Sequence, residues 1–427
     1  MFISLNELKA IIIDIDSFPS EFDREWLGVD RNVKLLFFSE CGLASLRRYT
    51  ELDAQFKIYP GSPISIFPRK EIISEMLDLL ELESYEVAFL SASFNRLQVL
   101  QQCEIDTIRY LFGDKLEYDE VGFLCDFTVS SIDDLNLLIS GDDSGYLSEV
   151  YSNIFEDGKI KYSKYNSLIH TERNYLGHKC TIISGGRYFN TSDVRHNYHQ
   201  LSKRILLNKS KDSNQDRVFF GIYESLLMFI DTNHSPVDGI TRIPPRPSES
   251  NDRFMNIVDK FCIAYPQFEN LRTDLFAIKN FPTQKSLNAA ERALNIQGAY
   301  QASDKFRGKH VVLIDDVIST GVTAFEAAKV MYEKGASQIT ILVLAINQFP
   351  NNLRRINHKP LICSCGRNFQ LRFNHTNNVP FFGCTGFQGR VCRNTLNYTM
   401  GIKRHNIENR LIADIDESSL DEYDDLF

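Results

Sequence analysis

Short apolar runs alternate with amphipathic stretches along the first part of the chain. KAIIIDID (residues 9–16) and the run from Val33 to Phe38 have the length and continuity of strands buried on both faces. EIISEMLDLLELE (71–83) carries apolar residues at helical spacing, and EVAFLSAS (86–93) and IDTIRYLF (105–112) are again short and apolar. Strands alternating with helices predict a parallel α/β domain over residues 1–115. From 116 to 175 the pattern weakens into a connector or domain rim, with one strand-like run, GFLCDFTV (122–129), and an acidic turn. A second alternating region begins near Cys180. KCTIISGGRYF (179–189) predicts strand, turn and strand, Asp193 to Leu207 a basic amphipathic helix, and FFGIYESLLMFI (219–230) a buried helix.

The most informative stretch is HVVLIDDVISTGVT (310–323). Its apolar run ends in Asp315 and Asp316, a turn of Ser319, Thr320, Gly321, Val322 and Thr323 follows, and a helical pattern starts near Ala324. A buried strand, a small hydroxyl-rich turn and a helix N-terminus suit a phosphate, because backbone N–H groups converge there. The paired acids upstream suit sugar hydroxyls. Arg242 and Arg246, with Ser248 and Ser250, form a loop suited to an anion such as pyrophosphate. A polar segment holding Lys279, Gln284, Lys285 and Arg292 precedes the strand and is expected to close over ligand.

Composition adds bounds. The 427 residues allow two to four domains, and 43% apolar with 24% charged residues is ordinary for a globular protein. No run approaches the roughly 18 apolar residues of a membrane span, and the N-terminus lacks a basic leader, so a cytoplasmic protein is expected. The net charge of −9 is uneven. Residues 351–411 are basic, whereas 412–427 (IADIDESSLDEYDDLF) are acidic. That tail is expected to be disordered, with docking across the basic region or on a protein partner as alternatives. Cys363, Cys365, Cys384 and Cys392 form two close pairs around a β-rich stretch, the pattern of a tetrahedral structural zinc site. Arg367, Arg372, Arg390 and Arg393 are interleaved there with Phe369, Phe373, Phe381, Phe382 and Phe387, a pattern suited to nucleic acid.

Three resemblances sharpen these readings. Residues 311–323 resemble the phosphoribosyl-pyrophosphate signature of type I phosphoribosyltransferases. The run Gln284-x-x-Leu287-x-x-x-Glu291-Arg292-x-x-Asn295-x-x-Gly298-Ala299-Tyr300 and the segment from Tyr188 to Leu206 are similar to the ComF subgroup. The resemblance covers about 175–350. It departs at Lys279, where an arginine is usual, and at Phe281, where a hydroxyl residue is usual. It implies that Asp315 and Asp316 bind ribose hydroxyls directly or through magnesium, that Ser319 to Thr323 wrap the 5′-phosphate, and that Arg242 and Arg246 lie near the pyrophosphate. No base-recognition element follows the last strand.

Asp14-Ile15-Asp16 and Ser39 resemble the first two motifs of haloacid dehalogenase-like (HAD-like) hydrolases. There the first Asp is the nucleophile and the second a general acid/base. Ser91-Ala92-Ser93 stands where that family carries metal-binding acids, which implies a degenerate domain. The cysteine segment is similar to the zinc ribbons of bacterial type I topoisomerases, which bind single-stranded DNA. Its first pair is Cys-Ser-Cys instead of Cys-x-x-Cys, so His358 or His375 are alternative ligands.

The expected architecture is therefore α/β. A type I phosphoribosyltransferase fold (176–350) is preceded by a Rossmann-like HAD domain (1–115) and a connector (116–175), and followed by a β-rich zinc ribbon (351–411) and the acidic tail. The leading functional expectation is binding of phosphoribosyl pyrophosphate with magnesium in a DNA-linked process, with or without transfer. The alternatives are a non-catalytic DNA-binding adaptor and a phosphatase acting through Asp14.

Overall fold

The computed structural model describes residues 8–30, 32–41, 57–60, 70–101, 105–113, 115–140, 145–153, 166–209, 215–249, 251–280, 294–349, 359–387, 389 and 391–410. Gln284, Arg292, Ser250, His358, Arg390 and the acidic tail lie outside them.

The first sheet is wholly parallel. Its strands are β1 (Ala10–Asp14), β2 (Lys34–Ser39), β3 (Lys57–Pro60), β4 (Val87–Ser91), β5 (Asp106–Tyr110) and β6 (Phe127–Val129), in the order β3-β2-β1-β4-β5-β6. Apolar residues on both faces of each strand explain why the runs were continuous rather than alternating. Ile11, Ile13, Phe37 and Leu90 face Trp26 and Leu135, while Ile12, Phe38 and Phe89 face Met76 and Leu80 of the helix Lys70–Leu80. The sixth strand comes from the stretch expected to be a connector.

A two-residue parallel pair, β7 (Gly145–Tyr146) and β8 (Asn166–Ser167), leads to the second sheet. That sheet contains β9 (Ile169–Tyr175), β10 (His178–Ser184), β11 (Arg187–Phe189), β12 (Gly239–Arg242), β13 (Glu269–Asn270), β16 (His310–Ile318) and β17 (Gln338–Gln348). The order is β13-β12-β16-β17-β10-β9, and all pairings are parallel except β9 with β10. A short antiparallel hairpin, β14 (Leu275–Ala277) with β15 (Tyr300–Ala302), lies apart. Residues of β16 alternate: Val311 and Leu313 face the helix Val322–Glu333, and Val312 and Ile314 face the helices Asp216–Asn233 and Met255–Ala264.

One sequence expectation is borne out here and one is corrected. The KCTIISGGRYF segment is strand, bend and strand, as expected. Both of its strands run parallel to β17, at Ile339–Val343 and Ile346–Gln348, so Gly185 and Gly186 interrupt one strand line. A Cβ on Gly185 would sit 2.1 Å from Ser148 Oγ, and one on Gly186 2.8 Å from Leu201. Asp193–Leu207 is not one helix. A 3-10 turn (Val194–Asn197) precedes the helix Gln200–Leu207, because Asp193 caps Arg195 N and His199 restarts the chain by accepting from Ser202 N.

Gln348, at the end of β17, joins the two sheets. Its amide accepts from Leu124 N at 2.7 Å and donates to Val121 O at 3.0 Å. Beside it Arg187 donates to Asp126 Oδ1 and Cys125 O and, bidentately, to Glu149. The C-terminal module is a three-stranded antiparallel sheet of β18 (Phe369–Phe373), β19 (Pro380–Cys384) and β20 (Thr395–Asn397), with the helix Tyr398–Glu408 across it. It docks on the second domain through Tyr198, whose hydroxyl accepts from Leu361 N and whose carbonyl accepts from Tyr398. Arg204 adds a bond to Asn378 O and lies 4.0 Å from the Phe373 ring.

Candidate functional site

The strand β16 continues through the two acids instead of ending at them, and Ser319 and Thr320 turn the chain into the helix Val322–Glu333. Gly321 caps that helix at φ +72°, the left-handed region. A Cβ there would meet Phe325 at 2.4 Å and Tyr118 Oη at 2.8 Å, so glycine is required on two counts. Tyr118 comes from the expected connector. Its hydroxyl donates to Thr320 O at 3.3 Å, its ring packs on Phe325, and Arg173 lies over its other face. Ser319 is exposed and Thr320, Val322 and Thr323 are half-buried, leaving the outer side of the turn open to a ligand.

The acid pair is coupled. Burial first, then the charge of Asp316, raises the Asp315 carboxyl well above its ordinary range. Burial also opposes ionisation of Asp316, but Arg253 and Lys209 outweigh it and hold that carboxyl low. Arg253 bonds directly to Asp316 Oδ2, and Tyr223 donates to Asp315 O at 2.6 Å. A proton on one acid and a guanidinium on the other is the charge state that buried neighbours favour. Arg253, Lys209, Tyr118 and Tyr223 were not singled out from sequence. Each lies outside the 310–323 stretch, and no spacing rule links them to it.

The two loop arginines differ. Arg242 is buried at the end of β12, with two nitrogens on Asp252 Oδ2 (2.9 and 2.7 Å) and a third on Leu275 O. It braces the loop and the hairpin from within. Arg246 is half-buried and paired with Glu249, and it lies close enough to Tyr300 to act on that hydroxyl electrostatically. Lys279 is exposed and donates to Gln297 O at 3.0 Å, whereas Gln284 and Arg292 lie outside the described residues.

In the first domain Asp14, Asp16 and Ser39 do come together at the carboxyl ends of β1 and β2. Ser39 Oγ and Glu40 N donate to Asp16 (2.6 and 2.7 Å). Both oxygens of Asp14 are engaged, Oδ2 by Ser91 at 2.7 Å and Oδ1 by Arg96 at 2.6 Å. Arg96 also reaches Asp16 at 3.8 Å and Glu40 at 2.7 Å, supplying positive charge among three carboxylates. Burial, partly offset by Arg96, pushes Asp14 up to about 6. The folded chain therefore holds a proton that the unfolded chain has lost, between about pH 4 and pH 6, and this stabilisation disappears as pH rises through about 6. Asp14→Asn should gain on wild type across that window by up to about 3 kcal/mol, one pKa unit being worth about 1.4 kcal/mol. Urea unfolding at pH 4 and pH 7 reads this, and an unchanged difference would count against it.

The four cysteines converge. Their sulfurs all lie within 4.8 Å of one another, with Cys365–Cys384 at 3.5 Å and Cys363–Cys392 at 3.7 Å. A tetrahedral ion with sulfurs at about 2.3 Å requires edges of about 3.8 Å, so the donor set fits. The short Cys-Ser-Cys knuckle closes because Gly366 takes φ +81° and donates to Cys363 O. Gly386 N and Asn394 Nδ2 each donate to a sulfur at 3.3 Å. His375 is exposed and is not part of the cluster. Of the interleaved aromatics, Phe369 and Phe382 are core and Phe373 lies under Arg204, whereas Phe387 is exposed near Arg372.

Comparison with known proteins agrees with the second domain. Residues 253–365 match the phosphoribosyl transferase domain family. The DNA utilization protein YhgH of Shigella flexneri is 34% identical over 110 residues, 25% of this chain and 48% of that protein. The protein of that name from Escherichia coli O157:H7 is 25% identical over 148 residues, 33% of this chain and 65% of that one. Competence protein F of Haemophilus influenzae is 33% identical over 79 residues, 18% and 34% of the two chains. The chain spans about half the length of the first relatives it matches. Among solved structures, glutamine phosphoribosylpyrophosphate amidotransferase from B. subtilis is 18% identical, covering 34% of this chain and 27% of that chain, with a TM-score of 0.19, too low to carry a structural argument. Residues 253–365 are thus similar to a phosphoribosyl transferase domain, and the chain shares sequence with YhgH and competence protein F. No described helix is long and apolar enough to cross a membrane.

Proposed function

We propose that the second domain binds phosphoribosyl pyrophosphate or a closely related phosphorylated ribose with magnesium, and does so in a DNA-linked process. The observation that carries this reading is the turn Ser319–Thr323 at a helix N-terminus, directly after a strand that presents Asp315 and Asp316. Backbone N–H groups of the turn hold the 5′-phosphate. Asp315 and Asp316 hold the ribose hydroxyls or a magnesium ion, whose charge favours ionisation of both acids. Arg246 lies nearest the pyrophosphate end, and Arg242 fixes the loop that carries it. Lys279 and the segment with Gln284 and Arg292 cover the ligand. In transfer, these groups stabilise a cationic ribose and a departing polyanion, and the covering segment excludes water. The names of the YhgH and competence relatives support the DNA link.

Calorimetry of the full chain with phosphoribosyl pyrophosphate and magnesium should show one binding event that Asp315→Asn with Asp316→Asn abolishes. Wild-type protein that gives no heat would refute the reading. Pyrophosphate release on adding candidate nitrogen nucleophiles separates transfer from binding alone.

A second reading, a DNA-binding adaptor, is favoured by the C-terminal module. There the cysteine cluster holds structural zinc, Arg372 lies over exposed Phe387, and Arg367 and Arg393 stand in the same module. Single-stranded DNA should bind with a steep salt dependence that deletion of 351–427 removes; binding that survives the deletion places the contact elsewhere. Hydrolysis through Asp14 is disfavoured, since Ser91 and Arg96 occupy both of its oxygens.

A further inference from the structure

A cavity of about 630 Å³ opens at the end of the second sheet opposite the phosphate turn. It lies where β10, β16 and β17 begin, among His178, Lys179, Ser337 and Gln338. The nine residues of β16 separate it from the turn by about 25 Å. Its walls are polar. His170 and His234 meet edge to face at 4.8 Å, and His178 stacks on Tyr332 at 4.9 Å. His310 fixes the segment behind His234, its Nδ1 lying 3.1 and 3.0 Å from Ser235 O and Pro236 O. The carboxylate among the lining residues, Glu172, is bracketed by Lys179 at 2.7 Å and Lys115 at 2.6 Å, so two ammonium groups face one acid.

We infer that this cavity is a second ligand site, specific for a small phosphate monoester. Lys179 supplies an ammonium group, and three imidazoles supply hydrogen-bond partners for a phosphate. The volume lies within the usual range for a small-molecule site and exceeds what a lone phosphate fills. The polar lining excludes an apolar occupant. At roughly 17–20 Å from the acid pair, five to six residues along β16, the occupant acts as an effector instead of a substrate. Tyr332 gives it a physical route, because this residue ends the helix that begins at the phosphate turn. Its hydroxyl donates to Lys179 O at 2.6 Å and accepts from Ile339 N at 2.9 Å, so an occupant that moves Lys179 moves the far end of that helix.

The test uses the full chain with AMP and with inorganic phosphate as probes, read by calorimetry. Asp315→Asn with Asp316→Asn, which disables ribose and magnesium binding at the other site, should leave AMP binding in place. His178→Ala with Lys179→Ala should weaken AMP at least tenfold. Lys179→Gln, which removes the ammonium group at a residue whose side chain is 65% exposed, should weaken AMP binding with the melting temperature shifted by only about a degree or two. Wild-type protein that binds neither probe, or AMP affinity unchanged by all the His178 and Lys179 variants, overturns the site. Neither result bears on the phosphoribosyl pyrophosphate reading, which has its own acid-pair control.

Discussion

Arg187→Ala is expected to destabilise the protein by about 3–5 kcal/mol, the usual cost of removing one partner from a buried ion pair. Arg187 is the charged centre of the junction between the two sheets. Its Nε and Nη2 lie 3.0 Å from the two oxygens of Glu149, and its Nη1 lies 3.1 Å from Asp126. Tyr146 and Phe189 flank the guanidinium at 5.1 and 5.5 Å. Burial would raise Glu149, but Arg187 and His199 outweigh it and hold the acid near 2. Alanine leaves Glu149 buried with His199 at 3.2 Å and the backbone N–H of residue 187 at 2.9 Å, and without the guanidinium. Glu149→Gln added to Arg187→Ala should recover part of the loss. Denaturant unfolding measures both; a loss below about 1 kcal/mol would show that solvent reaches the junction. Because Glu149 is depressed, its contribution is present above the unfolded value and fades as pH falls towards 2.

The second large effect concerns the cysteine cluster. If it holds zinc as proposed, purified protein contains about one zinc per chain, and Cys384→Ser removes it. Structural zinc contributes on the order of 10 kcal/mol in small modules. The apolar core here is correspondingly small, drawn mainly from Leu361, Phe369, Leu371, Phe382 and Ile402 with Tyr198 of the neighbouring domain. Loss of metal should therefore unfold β18–β20 and the helix across them, exposing 359–410 to protease while the two parallel sheets keep their melting transition. Metal analysis showing no zinc in the native protein sinks this expectation at once.

Much of this arrangement was legible in the sequence, for definite reasons. Continuous apolar runs such as AIIID and VVLI are the pattern of strands covered on both faces, and both sheets are covered by helices. The turn after Asp316 was legible because a left-handed Gly between hydroxyl residues is a local feature. The cysteines were legible as a cluster, although only the fold separates them from His375. What stayed hidden is set by distant contacts. Arg253 reaches Asp316 across 63 positions, and Tyr118 reaches Thr320 across 202. Gly185 and Gly186 look like a turn, but Ser148 and Leu201 press on them from outside the segment. Arg242 carries the charge expected of an anion ligand, yet Asp252, ten residues on, takes it up.

The strand Gln338–Gln348 has a consequence for how the chain is made. It is the partner of β10, β11 and β16 alike. The hairpin Ile169–Ser184 is complete long before that partner exists. A ribosome adding about 5–20 residues per second needs roughly ten to thirty seconds to travel from one to the other. Throughout that interval the edge of β10 that pairs with β17 is unsatisfied, and Cys180, Ile182 and Ile183 can pack only against the parts of their clusters already made, such as Leu116, Tyr146 and Leu147. The second sheet therefore closes late, because its central strand follows all the strands it pairs with.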